Sequence, residues 1–308
     1  MKKSFIIFHI CLFIFLITVP SKGYSFQTSD TLQKNGVIAK GASPRLISKQ
    51  FTFTEGPAVD KYGNVYFTDQ PNDKIWKYGT DEKLSVFLDK TGRSNGLYFD
   101  KKGNLIACAD EKNELWSISP SKKITVLASD YKGQLFNGPN DLWVHPNGGI
   151  YFTDPLYKRD YWTQQGQRLE KEQVYYLGPN KKEAVVVASN AQKPNGIVGT
   201  PEGKFLYVAD INGNKTYKYK INGDGTLQSP QLFAEQGSDG MTIDNKGNIY
   251  LTGKGVTVYN KEGKKLGHID IPAAWTGNVC FGGKKRDKLF ITASEAIYVL
   301  DMQVKGVQ

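Results

Sequence analysis

Six polar residues open six similar segments of the sequence, at Glu55, Asn95, Asn140, Asn195, Asp239 and Asn278. Each segment continues through a short apolar stretch, a turn that contains glycine and a second apolar stretch, as in EGPAVDKYGNVYFTD. All six residues carry side-chain oxygen atoms, which are the ligands that hard cations such as Ca²⁺, Mg²⁺ and Mn²⁺ prefer. If the fold brings the six residues to one point, they would form a site for one divalent metal ion.

Turn chemistry offers an alternative explanation, because Asn and Asp are favoured where strands meet turns. Glu55 does not fit that explanation, since Glu is not a typical turn residue. Catalysis by His, Cys or an activated Ser is disfavoured, because the chain has only 3 His and 3 Cys and no GxSxG motif. His145 lies in an HPNG turn and His268 in LGHID, an outer-strand stretch, so neither is expected to be catalytic. The pattern favours Ca²⁺ first, then Mg²⁺ or Mn²⁺, with Zn²⁺ possible.

Strands are the elements that would position these residues. The 308-residue chain has 39% hydrophobic residues, with 32 Gly, 17 Tyr and 16 Phe against 3 Met, which favours strands joined by tight turns and excludes wholesale disorder. Two further strand-like stretches follow each segment, such as KIWKYG and KLSVFLD after the first. Four strands in a period of roughly 40–55 residues are typical of a propeller blade. The sequence therefore predicts an all-β fold, a six-bladed β-propeller.

The sixth segment ends at AIYVLD without a fourth strand, whereas a matching stretch, PRLISKQF, precedes the first segment. We therefore expect an N-terminal strand to complete the last blade and close the ring. Residues 26–308 are predicted to form this single domain. Cys108 and Cys280 fall at different strand positions, so no disulfide bond is expected between them.

Residues 1–25, MKKSFIIFHICLFIFLITVPSKGYS, have the order of a signal peptide: two lysines, an apolar run, then Pro20 and small residues. The apolar run is short for a membrane-spanning helix, although an uncleaved anchor remains an alternative. Cleavage would lower the formal net charge from +10 to +7. We expect an exported protein, periplasmic or secreted, without stable membrane insertion after cleavage.

Four aspartates occupy equivalent places at the ends of the second strands: Asp69, Asp110, Asp154 and Asp210. We expect them on the same face as the six opening residues, bonded to loop backbone rather than to a metal. A long loop, residues 155–173, also leaves this face and contains Tyr157, Arg159, Tyr161 and Trp162. This loop could be a lid or substrate wall over a site, or a plain surface insertion.

The six segments resemble the SMP-30/gluconolactonase/LRE-like family over about residues 44–300. The resemblance rests on FTEGP at Glu55, GPNDL at Asn140, PNGI at Asn195, SDGM at Asp239 and the FGG that follows Asn278. It implies a divalent metal held by Glu55, Asn195 and Asp239, with Asn140 contacting the metal or its water. It also implies lactone-ring hydrolysis by metal-activated water, with Asp239 as the general base.

Family members related to regucalcin carry an Arg, which contacts the substrate, two residues before the position of Asn140, where this sequence has Gly138. The sequence therefore does not specify a sugar-acid lactone. Phe136, Asn137 and the aromatic loop would have to supply the contacts instead. The predicted substrate-binding residues are Asn95, Asn137, Tyr157, Arg159, Trp162 and Asn278.

Three alternatives to a lactonase remain open from the sequence. The first is a related esterase or phosphotriesterase on the same metal site, and the second is a non-enzymatic propeller that binds a ligand. The third, a nucleic-acid binder, is disfavoured because the lysines are dispersed in turns such as KKGN and KEGKK, with acidic residues between them. We expect a small-molecule lactone or ester as the partner, and the sequence gives no signal for an oligomer.

Overall fold

The computed structural model describes residues 30–162 and 169–308. The predicted signal peptide lies outside the described residues. A short helix, α1 (Asp30–Lys34), and strand β1 (Arg45–Ser48) precede six four-stranded antiparallel sheets that follow one another along the chain. These sheets are the blades of the predicted propeller, and the all-β prediction is confirmed.

The first three blades and one small hairpin cover the first part of the chain. Blade 1 contains β2 (Thr54–Val59), β3 (Val65–Asp69), β4 (Lys74–Tyr78) and β5 (Leu84–Asp89). Blade 2 contains β6 (Ser94–Phe99), β7 (Leu105–Ala109), β8 (Glu114–Ile118) and β9 (Ile124–Ala128). The hairpin consists of β10 (Asp130–Tyr131) and β11 (Gln134–Leu135). Blade 3 contains β12 (Leu142–Val144), β13 (Ile150–Asp154), β14 (Gln173–Leu177) and β15 (Ala184–Ala188). Two 3₁₀ helices follow the second strands of blades 1 and 2, at Gln70–Asn72 and Asp110–Lys112.

The last three blades have the same strand order. Blade 4 contains β16 (Pro194–Gly199), β17 (Phe205–Asp210), β18 (Lys215–Lys220) and β19 (Gln231–Ala234). Blade 5 contains β20 (Met241–Ile243), β21 (Ile249–Gly253), β22 (Gly255–Tyr259) and β23 (Lys265–Ile269). Blade 6 contains β24 (Asn278–Gly282), β25 (Lys288–Ala293), β26 (Ala296–Asp301) and β1.

The ring is closed by the N-terminal strand. In blade 6, β1 pairs antiparallel with β26, and Arg45 lies opposite Val299. The first strand of every blade lies against the first strands of both neighbouring blades, so β2, β6, β12, β16, β20 and β24 surround a common axis. The predicted closure is therefore confirmed, and the residues that begin these inner strands share one end of the channel.

Burial decreases from the axis outward. The second strands are almost wholly buried, because both of their faces pack against neighbouring blades. Aromatic pairs such as Tyr151 and Tyr176, whose ring centroids are 4.5 Å apart, fill the space between sheets. The fourth strands leave apolar side chains such as Val86 and Val126 exposed at the rim. Cys108 and Cys280 are buried and unpaired, as expected.

The turns between the first and second strands repeat one device. In blade 1 the carboxylate of Asp60 accepts hydrogen bonds from the backbone N–H groups of Tyr62 and Asn64, at 2.9 and 3.0 Å, and from the Asn64 side chain at 2.7 Å. Gly63 completes the turn with a φ of 95°, which favours glycine. His145 takes the corresponding place in blade 3, where its Nδ1 accepts a hydrogen bond from the backbone of Asn147 at 3.1 Å. His145 therefore serves a turn, as expected.

None of the helices in residues 30–162 and 169–308 has the length and apolar character needed to cross a membrane.

Candidate functional site

The six opening residues gather at one end of the channel. Four lie on inner strands, namely Glu55 on β2, Asn95 on β6, Asn195 on β16 and Asn278 on β24. The other two, Asn140 and Asp239, come two residues before β12 and β20. Asp239 is half-buried and the other five are buried. The fold thus brings together the residues that the repeat aligned.

Glycines allow these side chains to approach one another. Three inner strands carry a β-bulge next to the opening residue, where the pairing register shifts, as between Glu55 and Ala58. A Cβ atom at Gly56 would lie 2.0 Å from the carbonyl oxygen of Asn95, and one at Gly240 would lie 1.9 Å from the Asn278 side chain. Only glycine permits this contact between neighbouring inner strands.

Asn195 is held in one orientation. Its Nδ2 donates to Asp239 Oδ1 and to the hydroxyl oxygen of Tyr157, both at 2.9 Å. On the other side of the carboxylate, Trp275 Nε1 donates to Asp239 Oδ2 at 2.6 Å. Asn195 Oδ1 is buried and accepts no hydrogen bond from any residue in the described ranges. A buried amide oxygen without a donor is suited to bind a cation.

Two carboxylates complete this group. Burial and the nearby charge of Asp239 raise the pKa of Glu55 well above its ordinary value, and its Oε2 accepts a hydrogen bond from the Gly56 backbone at 3.0 Å. Burial raises the pKa of Asp239 to about 6, against the opposing hydrogen bonds from Trp275 and Asn195. The positive charge of Arg159 opposes the increase in the pKa of both carboxyl groups but does not cancel it. Two acids buried close together are stabilised when a cation binds between them.

The donor set fits a hard cation. Within the described part of the chain, no group of three or more His, Cys, Asp or Glu side chains is arranged to hold a metal. The side chains with which a hard cation could be held are the carboxylates of Glu55 and Asp239 and the amide oxygen of Asn195. An all-oxygen set with neutral amides matches Ca²⁺ better than a metal that prefers nitrogen or sulfur ligands.

Asp141 is a further acid in the channel, which the sequence analysis missed. Burial raises its pKa to about 7, and its carboxylate accepts hydrogen bonds from the Leu142 backbone at 2.9 Å and from Asn278 Nδ2 at 3.3 Å. Asn278 Oδ1 in turn accepts from the Val279 backbone at 2.8 Å. Both polar groups of Asn278, predicted to bind substrate, therefore have partners within the protein. The signal for Asp141 was an acid at a place where four of the other five repeats have glycine.

The aromatic loop reaches the site with Tyr157, whose hydroxyl oxygen contacts Asn195. Burial, followed by the charge of Asp239, raises the pKa of Tyr157 above its ordinary value, so the hydroxyl keeps its proton. Arg159 and Trp162 lie further along the loop and bind Asp110, through its carboxylate at 3.2 Å and its carbonyl oxygen at 2.9 Å. Residues 163–168 of the loop lie outside the described residues.

The remaining predicted contacts are buried in the walls of the channel. Asn137 Nδ2 donates to the carbonyl oxygens of Lys171 at 3.1 Å and Asp154 at 3.4 Å, so its amide supports the loop. The carbonyl oxygen of Asn95 accepts from Thr68 Oγ1 at 3.1 Å, and that of Asn140 from the Gly96 backbone at 2.7 Å. The roles of these three residues toward substrate or metal stay predictions.

The aspartates that end the second strands mostly bind loop backbone, as expected. Asp69 accepts hydrogen bonds from the backbone N–H groups of Thr52 and Phe53, and Asp154 accepts them from Asn137 and Gly138. These bonds fix the segment that leads into each inner strand, and so the position of the next opening residue.

Comparison with known proteins places the chain in a family. Residues 53–295 match the family model described as "SMP-30/Gluconolactonase/LRE-like region". The chain belongs to this family. The match spans all six opening residues, so the resemblance inferred from the motifs is confirmed.

Members of the SMP-30/gluconolactonase/LRE-like family with similar sequences include a gluconolactonase from Zymomonas mobilis subsp. mobilis, 28% identical over 283 residues, which are 82% of this chain and 79% of that protein. A lactonase drp35 from Staphylococcus haemolyticus is 27% identical over 265 residues, 77% of this chain and 76% of that protein. The structure of a gluconolactonase from Xanthomonas campestris matches with a TM-score of 0.80 and 26% identity, over 87% of this chain and 92% of that one.

Proposed function

We propose that this protein hydrolyses lactones with the help of one divalent metal ion at the end of the propeller channel. The observation that carries the proposal is the buried Asn195 Oδ1, which no described residue bonds, beside the carboxylates of Asp239 and Glu55. The related gluconolactonases and the lactonase support lactones as the substrate class.

Glu55, Asn195 and Asp239 would hold the metal, and Asn140 would contact the metal or its water. Ca²⁺ is the first candidate, followed by Mg²⁺, Mn²⁺ and Zn²⁺, because the donors are all oxygen atoms. When bound, such an ion polarises the lactone carbonyl and lowers the pKa of water beside it. Because two of the three ligands are carboxylates, a divalent ion leaves the group without a net charge.

Asp239 would act as the general base. Trp275 and Asn195 each bind one of its carboxylate oxygens, so the side chain has a fixed direction. In the reaction, the oxygen of water adds to the carbonyl carbon and its proton passes to Asp239. The ring C–O bond then breaks, the leaving oxygen takes that proton from Asp239, and the product is the open hydroxy acid.

The direct test is the hydrolysis of glucono-δ-lactone and dihydrocoumarin by the purified protein. The rate is measured as the release of acid, once with added Ca²⁺ and once after chelation. We expect Asp239→Asn to lower kcat/KM about 10³-fold or more, because both a ligand and the base are lost. Asp89→Asn, an exposed acid on an outer strand, is the matched control and should leave the rates unchanged. Hydrolysis that survives both chelation and Asp239→Asn would contradict the proposal.

The same assay separates the alternative substrate classes. Phenyl acetate and paraoxon, tested at equal concentration, report esterase and phosphotriesterase activity on the same site. We expect the lactones to be hydrolysed with the higher kcat/KM. A clear preference for either of the other two substrates would replace the lactone by that class.

We also propose that residues 1–25 direct export of the protein. The order of lysines, apolar run and small residues supports this proposal. N-terminal sequencing of the protein from the producing cells tests it, and we expect the mature chain to begin near Ser25. A chain that retains Met1 in the cytoplasm would contradict it.

A further inference from the structure

The four aspartates that end the second strands do not all have the same partners. Asp69, Asp154 and Asp210 each accept hydrogen bonds from the backbone N–H groups that lead into their own blade. In blade 2 those backbone groups, of Thr91 and Arg93, donate instead to Asp73 Oδ1, at 2.8 and 2.7 Å. Asp73 therefore takes over the structural task that Asp69, Asp154 and Asp210 perform in their blades.

Asp110 binds the aromatic loop of blade 3. Its Oδ2 accepts hydrogen bonds from Arg159 Nε at 3.2 Å and from the hydroxyl of Tyr161. Its carbonyl oxygen accepts from Trp162 Nε1 at 2.9 Å. Asp110 is only 4% exposed, so these bonds, including an ion pair, form where water competes weakly. One residue of blade 2 thus holds three side chains of a loop that belongs to the next blade.

The other end of the same loop segment is held by blade 4. Lys193 Nζ donates to the carbonyl oxygen of Leu156 at 2.9 Å and lies 4.6 Å from the centre of the Tyr157 ring. The guanidinium carbon of Arg159 lies 5.5 Å from the same ring centre. Tyr157 is therefore flanked by two cations, which interact favourably with an aromatic ring. Residues 156–162, which we name the wall segment, are held from both neighbouring blades.

Gly138 leaves room for the wall segment to pack closely. A Cβ atom at this position would lie 2.6 Å from Asp110 Oδ1 and 3.2 Å from Trp162 Cζ2, and its φ of 148° is unusual for other residues. The side chains of Trp162 and Asp110 thus occupy the space beside Gly138. A side chain at position 138 would clash with both of them.

Tyr157 is the part of the wall segment that meets the site. Its hydroxyl oxygen accepts a hydrogen bond from Asn195, and none of the described residues accepts one from its O–H group. The O–H group therefore remains to donate to an oxygen of a bound molecule. Asn195 Nδ2 donates both to this hydroxyl oxygen and to Asp239, so the hydroxyl lies close to the proposed general base. From there its O–H group can donate to an ester oxygen of a bound lactone.

We propose that Asp110 is a positioning residue that holds the wall segment as a fixed wall and so places the Tyr157 hydroxyl against the substrate. This inference rests on the proposed lactone hydrolysis for its kinetic part only. It predicts that Asp110 controls how tightly lactones bind, whereas the bond-breaking step depends on Asp239 and the metal.

The first readout does not need a substrate. Hydrogen–deuterium exchange of residues 156–162 is measured in the wild type, in Asp110→Asn and in Tyr161→Phe. We expect exchange to be about tenfold faster in Asp110→Asn and less affected in Tyr161→Phe, because local opening sets the exchange rate. The control is Asp69→Asn, which removes the equivalent acid of blade 1 and should leave this segment unchanged. Equal exchange in the wild type and Asp110→Asn would overturn the proposal.

The second readout is the division between KM and kcat with dihydrocoumarin. We expect Asp110→Asn to raise KM about tenfold and to change kcat less than about twofold. Tyr161→Phe should show a smaller change in the same direction, and the double variant should change little beyond Asp110→Asn, because both act through one contact. A fall in kcat at unchanged KM would overturn the positioning role. If Asp110→Asn fails to fold, Tyr161→Phe alone decides both readouts.

The two proposals fail in different ways. If the wild type hydrolyses no lactone but Asp110→Asn still loosens residues 156–162, the proposed function is wrong and the anchoring stands. If lactones are hydrolysed and the segment is loosened without a change in KM, the wall segment does not contact substrate and the inference is wrong.

Discussion

The carboxylates at the two ends of the inner strands have opposite surroundings. Asp244, just beyond β20, accepts four hydrogen bonds, from two backbone N–H groups, the Asn248 side chain and the Tyr250 hydroxyl. Glu55, at the other end of an inner strand, accepts one hydrogen bond from the residues of the described ranges, from the Gly56 backbone. Both side chains are buried, at 1% and 3% exposure. Burial alone therefore does not distinguish a structural acid from one that is proposed to bind a metal ion.

The two ends of the inner strands also differ in how closely the blades repeat one another. Asp60, Asp100 and Asp244 recur at the same place of three blades, each bonded by an Asn four residues later. The carboxylates of these three residues accept their hydrogen bonds from groups of the same turn or strand pair. At the opposite end the opening residues vary between Glu, Asn and Asp, and burial raises the pKa of both acids there, Glu55 and Asp239. This end, which we call the variable end, is the one where we propose that the ligand binds.

Glu55→Gln tests the variable end and should have the largest effect. We expect kcat/KM for dihydrocoumarin to fall about 10³-fold or more, since a metal ligand loses its charge while the side chain keeps its shape. Steady-state kinetics at saturating Ca²⁺ measures this. A variant that keeps more than about a tenth of the wild-type rate would show that Glu55 is no different from a structural acid.

Asp244→Ala tests the turn end. Four hydrogen-bond donors lose their acceptor, and some of them stay buried, so we expect the free energy of unfolding to fall by about 3 kcal/mol. The kcat of the folded protein should be unchanged, because the substitution lies at the far end of the strand. Urea unfolding together with kinetics below the transition checks both points. A loss of activity in the folded variant would break the contrast between the two ends.

Added Ca²⁺ should stabilise the protein by binding at the variable end, where Glu55 lies, and at no other place. At a Ca²⁺ concentration about 100 times Kd, the free energy of unfolding should rise by about 2.7 kcal/mol. Glu55→Gln should lose this gain, and in a chelator it should be more stable than the wild type, because a buried carboxylate has been removed. Thermal unfolding of both proteins, with Ca²⁺ and with chelator, measures the four values. An equal gain in Glu55→Gln would place the ion elsewhere.

Asp100→Asn should have the smallest effect. Asp100 accepts three turn hydrogen bonds, one fewer than Asp244, and is only half-buried, so water can replace the lost bonds. We expect a loss of about 1 kcal/mol in unfolding free energy and no change in kinetics. Urea unfolding measures this loss, which should be clearly smaller than the loss in Asp244→Ala. An equal or larger loss in Asp100→Asn would contradict the expectation.

The fold could be predicted because each repeat carries its own evidence. Apolar stretches and Gly-containing turns recur at matching spacing, and the missing fourth strand of blade 6 matched the extra strand before blade 1. The positions of Glu55, Asn195 and Asp239 followed from the same alignment, since equivalent residues of a ring must lie on a common axis.

Features outside the repeat could not be predicted. Trp275, which binds Asp239, comes from the connection between blades 5 and 6 and has no equivalent to align. Asp141 stands where four of the other five repeats have glycine, so no equivalent acid aligns with it. Asp110 looks equivalent to Asp69 in sequence, and its different partners depend on a loop about 50 residues away. Contacts between non-equivalent segments are set by tertiary packing, which a repeat does not encode.

The closure of blade 6 also determines the order in which the chain can fold during synthesis. Strand β1 leaves the ribosome early, but its partner β26 follows about 250 residues later. At about 5–20 residues per second, β1 waits roughly 10 to 50 s before it can pair. Throughout that time its edge is open to incorrect partners, and the ring gains its last sheet only after β26 has been made. Of the described strands, the one that is made first completes the last blade.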